Sequence, residues 1–259
     1  MTTTRMICVA FCVAFTAVLS GAARADIKTQ WIEYSHNGAK LKGYLAYDDQ
    51  VTGKRPGVLM VHRRNGMDAV TLKTTEMWAK LGYVVFATDI FGYGAGVLPK
   101  DVPAMQAQTD IYNKDRMLMR ERAQAGLDVL SQNPMVDASK IALIGYCFGG
   151  TVGVEMSYAG APFVATVTIH GSFRNHAADG AKNVKGKFLI LHGANDPVAP
   201  LAEVDKIIGA LRAAKASFQY ELYSGTGHGF STPKNKDEER ANVQSIGATT
   251  RFLKEIFGT

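Results

Sequence analysis

Cysteine is scarce in this 259-residue chain, with only Cys8, Cys12 and Cys147. No disulfide framework and no paired Cys-x-x-Cys ligand set can be built from them. A His-Glu-x-x-His string and a carboxylate cluster are missing too, so the sequence implies no metal. After residue 25 no apolar stretch approaches the roughly 18 to 20 residues that span a bilayer. No internal repeat and no proline- or serine-rich linker divides the chain, so one domain over residues 26–259 is expected. Charge of one sign is not concentrated either. The net +6 comes from 29 basic and 23 acidic residues interleaved along the chain, which implies no nucleic-acid surface.

What is present begins with a processing signal. Arg5 precedes an apolar run from Met6 to Leu19, and small residues follow to Ala23-Arg24-Ala25. This order predicts a secretory signal peptide over residues 1–25, with Asp26 as the first mature residue. A retained anchor is the alternative. No cysteine lies between Ser20 and Asp26 to carry a lipid. The expectation is a secreted or periplasmic protein with no stable membrane anchor after cleavage. Losing Arg5 and Arg24 takes two from the charge of +6 and leaves +4. Cleavage also leaves Cys147 as the lone thiol, which in an oxidising compartment calls for a reason. Burial as a small apolar residue is the plain one.

Apolar, β-branched runs recur at 57–61, 83–87, 140–144, 163–169 and 187–191, and two further strands are expected at 41–47 and 218–223. Unbroken runs suit strands buried on both faces. Helical patterns lie between them at 71–81, 112–132, 151–158, 201–215 and 237–257. This alternation predicts an α/β fold with a mostly parallel sheet and helices on both faces. The Gly- and Pro-containing segment from Gly92 to Pro103 reads as a loop over the strand ends and a candidate pocket wall.

Gly145-Tyr146-Cys147-Phe148-Gly149-Gly150 joins an expected strand directly to an expected helix. A nucleophile in such a G-x-C-x-G turn sits at the helix N-terminus, where free N–H groups and the macrodipole favour a thiolate and a developing oxyanion. A nucleophile needs a base, and the base needs an orienting acid. Asp196, in Gly193-Ala194-Asn195-Asp196-Pro197, follows one strand, and His228, between Gly227 and Gly229, follows the last. Parallel strands bring all three loops to one sheet edge, in the order nucleophile, acid, histidine. Asp196 also reads as a turn former or a cap for the helix near Leu201, and His228 as a solvated loop residue. His192 and His170 end strands at the same edge, where a core or rim role is the simpler reading. His36 and His176 read as exposed loop residues.

These motifs resemble the dienelactone hydrolase family of the α/β-hydrolase superfamily. The likeness runs through Pro56 to Val61 with Gly66, Leu81-Gly82-Tyr83, Asp89, the Gly145 to Gly150 elbow, Gly193 to Val198 and Gly227-His228-Gly229-Phe230. It implies a fold without a large cap domain, a Cys147, Asp196, His228 triad, and hydrolysis of enol-lactones or related esters of the carboxymethylenebutenolidase type, with no cofactor. It also implies an oxyanion hole from the backbone N–H groups of Phe148 and Arg64. Three positions depart from the family pattern: Arg63 stands where relatives carry a glutamate, and Tyr93 and Thr232 stand where they carry carboxylate-binding arginines. Arg63, Tyr93 and Thr232 are therefore the substrate-binding candidates. A cation near the thiol is expected to lower its pKa, and Arg63 or Arg64 to favour an anionic substrate. The expected partner is a small-molecule ester or lactone, and the expected assembly a monomer or small homo-oligomer. A non-catalytic ligand-binding protein on the same fold is the alternative. A thiol redox role lacks a resolving cysteine.

Overall fold

The structure, a computed structural model, describes residues 26–174 and 176–259. The expected signal peptide lies outside the described residues. An eight-stranded sheet forms the centre: β1 (Ile27–His36), β2 (Ala39–Asp48), β3 (Arg55–Val61), β4 (Val84–Thr88), β5 (Val136–Tyr146), β6 (Ala165–Ile169), β7 (Lys187–Gly193) and β8 (Phe218–Tyr223). Its spatial order is β1-β2-β4-β3-β5-β6-β7-β8, antiparallel from β1 to β4 and parallel from β4 to β8.

Among the described residues six α-helices flank it: α1 (Ala69–Ala79), α2 (Val102–Lys114), α3 (Arg116–Ser131), α4 (Phe148–Tyr158), α5 (Leu201–Ala213) and α6 (Lys236–Phe257). Strand alternation divides the apolar side chains between the two faces. Val58 and Met60 join the core under α1 and α6 with Trp78 and Phe252, while Leu59 and Val61 join the core under α3 and α4 with Leu127 and Val152. β4 and β6 are buried at every position, as their unbroken apolar runs require. This is the α/β-hydrolase architecture, and no large cap domain is inserted among the described residues.

Three features differ from the expectation. β1 was not anticipated, although Asn37-Gly38, with φ of 45° and 76°, is the two-residue turn that closes a hairpin. The long helix at 112–132 is instead two helices. Asp115 breaks them with non-helical φ −115° and ψ 88°, and its carboxylate accepts the Leu118 N–H at the start of α3. The loop expected over 92–103 is correspondingly shorter, because Asp101 caps α2 and Pro103 occupies its first turn.

Parallel pairing from β3 to β8 brings the carboxyl ends of β5, β7 and β8 to the same edge. Cys147 follows β5 directly, Asp196 lies three residues after β7, and His228 five residues after β8.

Candidate active site

Cys147 turns the chain from β5 into α4 with φ 53° and ψ −115°, a region that side-chain-bearing residues rarely adopt. The turn is held from the neighbouring strand: Cys147 N–H donates to the Ile169 carbonyl at 3.1 Å, and its own carbonyl accepts from Gly150 N–H at 3.0 Å and Ser172 N–H at 3.1 Å. Two glycines make the approach possible. A Cβ at Gly145 would run into the Gly149 carbonyl, and one at Gly149 into the Val61 carbonyl.

The three side chains meet. His228 Nε2 lies 3.0 Å from Cys147 Sγ, and His228 Nδ1 lies 2.8 Å from Asp196 Oδ2. The other oxygen, Asp196 Oδ1, accepts the N–H groups of Val198 at 2.8 Å and Ala199 at 3.0 Å. Asp196 thus initiates a turn and faces the imidazole at once. It does not cap α5, whose cap position is Pro200.

Burial and partners oppose one another at this cluster. Burial pushes the Cys147 thiol up, but the His228 hydrogen bond and charge, with the backbone N–H groups of Arg64 and Phe148, bring it below its ordinary value. Burial pushes His228 down, yet bonding to Asp196 and Cys147 raises it to about 9. Burial likewise opposes ionisation of Asp196, whereas His228 and the Ala199 N–H hold it below the usual carboxylate range. These shifts favour a thiolate beside an imidazolium.

Cys147, Phe148 and His228 open on a cavity of about 210 Å³. Arg64, Ser172 and Arg174 form part of its wall, and α2 supplies Gln106, Thr109 and Asn113. Sequence reading missed every one of these except Arg64. The Asp101 cap followed by Pro103 was the available signal for α2. A larger hollow of about 310 Å³ beside Tyr158, Phe173 and Ile207 contains no such nucleophile and base.

The remaining substrate-binding candidates lie apart from this cavity. Arg63 does not line it, and its guanidinium lies 5.2 Å from the centre of the Tyr146 ring. The charge that lowers the Cys147 pKa most is that of His228. Tyr93 stacks on Trp31 at 5.1 Å. Thr232 is exposed and donates its hydroxyl to the Gly229 carbonyl at 3.0 Å.

The histidines divide differently from expectation. His176 is not an exposed loop residue: only 3% of its side chain is accessible, and it bonds Glu155 at 2.7 Å. His36 ends β1, with Nε2 3.3 Å from Glu121 Oε2. His192 is buried and donates from Nε2 to the Ala199 carbonyl at 2.9 Å. His62, which the sequence did not single out, is also buried. Its Nδ1–H donates to the Arg63 carbonyl at 2.7 Å, and Nε2 accepts the Ile90 N–H at 3.2 Å. This clamps the loop that carries the Arg64 N–H.

The model of the dienelactone hydrolase family matches residues 41–257. A putative carboxymethylenebutenolidase of Synechocystis sp. is 27% identical over 252 residues, covering 90% of this chain and 98% of its own length. A human carboxymethylenebutenolidase homolog is 30% identical over 119 residues, 46% of this chain and 48% of the relative. Among solved structures, a dienelactone hydrolase-like promiscuous phosphotriesterase from metagenomic libraries superposes with TM-score 0.83 at 28% identity, covering 89% of this chain and 99% of that one. A putative dienelactone hydrolase from Klebsiella pneumoniae gives TM-score 0.77 at 18% identity.

Proposed function

Because the chain belongs to the dienelactone hydrolase family, we propose that this hydrolase cleaves a carboxylic ester or lactone with Cys147 as nucleophile, His228 as base and acid, and Asp196 as the orienting carboxylate. The observation that carries this reading is the continuous series of contacts, 3.0 Å from sulfur to imidazole and 2.8 Å from imidazole to carboxylate, at the mouth of a cavity.

The Cys147 thiolate attacks the carbonyl carbon, and the carbonyl π electrons move to oxygen. The Phe148 and Arg64 N–H groups, beside the sulfur, stabilise that oxyanion; removing one donor of this kind typically costs about 2.7 to 4 kcal/mol of barrier. As the tetrahedral intermediate collapses, the C–O bond to the leaving group breaks and His228 Nε2–H protonates the departing oxygen. A thioester to Cys147 remains. His228, now neutral, takes a proton from water, the hydroxide attacks the thioester, and the acid leaves as the thiolate re-forms. Asp196 holds Nδ1–H throughout, which keeps Nε2 aimed at the sulfur.

The cavity's size and its arginine, carboxamide and hydroxyl lining support a compact polar substrate, with Arg64 and Arg174 positioned to attract an anionic group. Arg63, Tyr93 and Thr232 lie away from the cavity and drop out of this reading. The rival reading is a non-catalytic binding protein, for which Arg63 in place of the family glutamate is the best support; burst kinetics with an activated ester separates the two.

Cys147→Ala is expected to abolish turnover of an activated aryl ester while leaving the thermal melt near wild type, and acyl-Cys147 should be trapped by mass spectrometry in the wild type. Full turnover by the variant would sink the assignment. A panel of lactones and short esters, with and without carboxylates, identifies the substrate class.

A further inference from the structure

His228 sits in a loop whose backbone passes through the left-handed region at a glycine on either side of it, with φ of 71° at Gly225 and 81° at Gly229. Before the histidine, that loop is tied to the turn that follows β7: Asn195 N–H donates to the Thr226 carbonyl at 3.0 Å. After it, the Phe230 ring packs edge-to-face on Tyr223 of β8 at 5.5 Å, and Phe230, Ser231 and His228 itself all meet one side chain, His170, which follows β6. Ser231 Oγ lies 2.7 Å from His170 Nε2. The Phe230 ring packs edge-to-face on the His170 ring at 5.1 Å and 83°, and the His228 ring does so at 5.1 Å and 66°.

His170 is placed there against local preference. It is fully buried, and its φ of 42° lies in the left-handed region that non-glycine residues avoid. Its Nδ1 has no hydrogen-bond partner among the described residues. A strained, buried, half-satisfied imidazole persists when the surrounding structure over-determines it, and such residues cluster at working sites.

We infer that His170 is a positioning residue for the proposed reaction: bonded to Ser231 and packed edge-on against His228 and Phe230, it sets the depth and tilt at which His228 meets Cys147. This rests on the reading of Cys147 and His228 as nucleophile and base.

The electrostatics agree with the geometry. Burial first, then the neighbouring charges of His228 and Arg63 with a smaller contribution from His192, hold His170 well below its ordinary pKa. It therefore stays neutral while His228 carries a proton. A second imidazolium at this distance would repel the first and disfavour the thiolate pair.

The test uses Ser231→Ala, which removes the partner with little risk to the fold, alongside His170→Phe, which keeps an aromatic ring and loses the hydrogen bond. Each is measured for ester turnover, for pH-dependent alkylation of Cys147 by iodoacetamide, and for thermal melting. Both should lower kcat by between about ten- and a hundredfold with KM nearly unchanged. Both should also raise the pH half-point of alkylation by at least about half a unit, because His228 no longer stabilises the thiolate as well. Ser231→Thr, which retains the hydroxyl, should restore both. The double variant should be no worse than His170→Phe, since the two residues share one bond.

Melting temperatures that fall while kcat and the alkylation half-point stay put would reduce His170 to a structural residue and overturn the inference. If His170→Phe does not fold, Ser231→Ala and Ser231→Thr decide alone. Cys147→Ala in the same assay separates the two claims: retained turnover there refutes the nucleophile, whatever His170 does. The alkylation half-points still report how His228 is held.

Discussion

Asp196 uses its two oxygens for different purposes, Oδ1 for the turn through Val198 and Ala199 and Oδ2 for His228. Asp196→Asn keeps an oxygen for the turn and loses the charge that stabilises an imidazolium, so the fold should survive and turnover should not. A fall in kcat on the order of 10³- to 10⁴-fold is expected from steady-state kinetics, by analogy with triads that lose their acid. The thiol gives a second residue-level test. Since burial raises its pKa and His228 lowers it, wild-type alkylation should have its half-point below the free-thiol value of about 8.5. His228→Ala leaves burial opposed only by the Arg64 and Phe148 N–H groups and should move the half-point to or above that value. Arg63→Ala should leave it where it was, because that guanidinium sits over Tyr146; a large shift in this variant would restore Arg63 as the source of the thiolate field.

At the scale of elements, the junction of β5 and α4 is among the tightest passages in the fold. Gly149→Ala places a methyl against the Val61 carbonyl of β3, backbone against which nothing flexible can give. Denaturant unfolding should register a loss of roughly 2 to 4 kcal/mol, with alkylation of Cys147 perturbed in parallel. Gly209→Ala, within α5 and with open space around its would-be Cβ, is the matched control and should stabilise by about 0.4 to 1 kcal/mol. Equal effects at the two sites would discredit the close-approach argument. α2 is the other element with a distinct part, because it lends Gln106, Thr109 and Asn113 to the cavity while burying only Thr109 and Tyr112. Its position over the cavity follows from the break at Asp115.

For the whole molecule, the parallel half of the sheet is the device that gathers residues 147, 196 and 228, and a single thiol is what remains if the N-terminal 25 residues are removed. Export with cleavage is a proposal, and it fits a first strand that begins at Ile27, one residue past the expected cleavage site. Protein recovered from the periplasm or medium of its producing cell should have the mass of a chain starting at Asp26, and denatured thiol titration should count one cysteine. A mass that includes residues 1–25 would refute cleavage.

The alternation of strand and helix, the turn at Cys147 and the placing of Cys147, Asp196 and His228 after successive strands were legible in the linear chain, because hydrophobic periodicity and turn chemistry are short-range properties. The Asn37-Gly38 hairpin and the Asp115 break were written there as well, though they went unread. Only the tertiary structure decided that Arg64 and Arg174, not Arg63, Tyr93 and Thr232, flank the cavity, that α2 covers it, and that His170 stands behind His228. Which way a side chain points, how dry its surroundings are and what charge it faces depend on segments remote in sequence, and only packing brings those segments together.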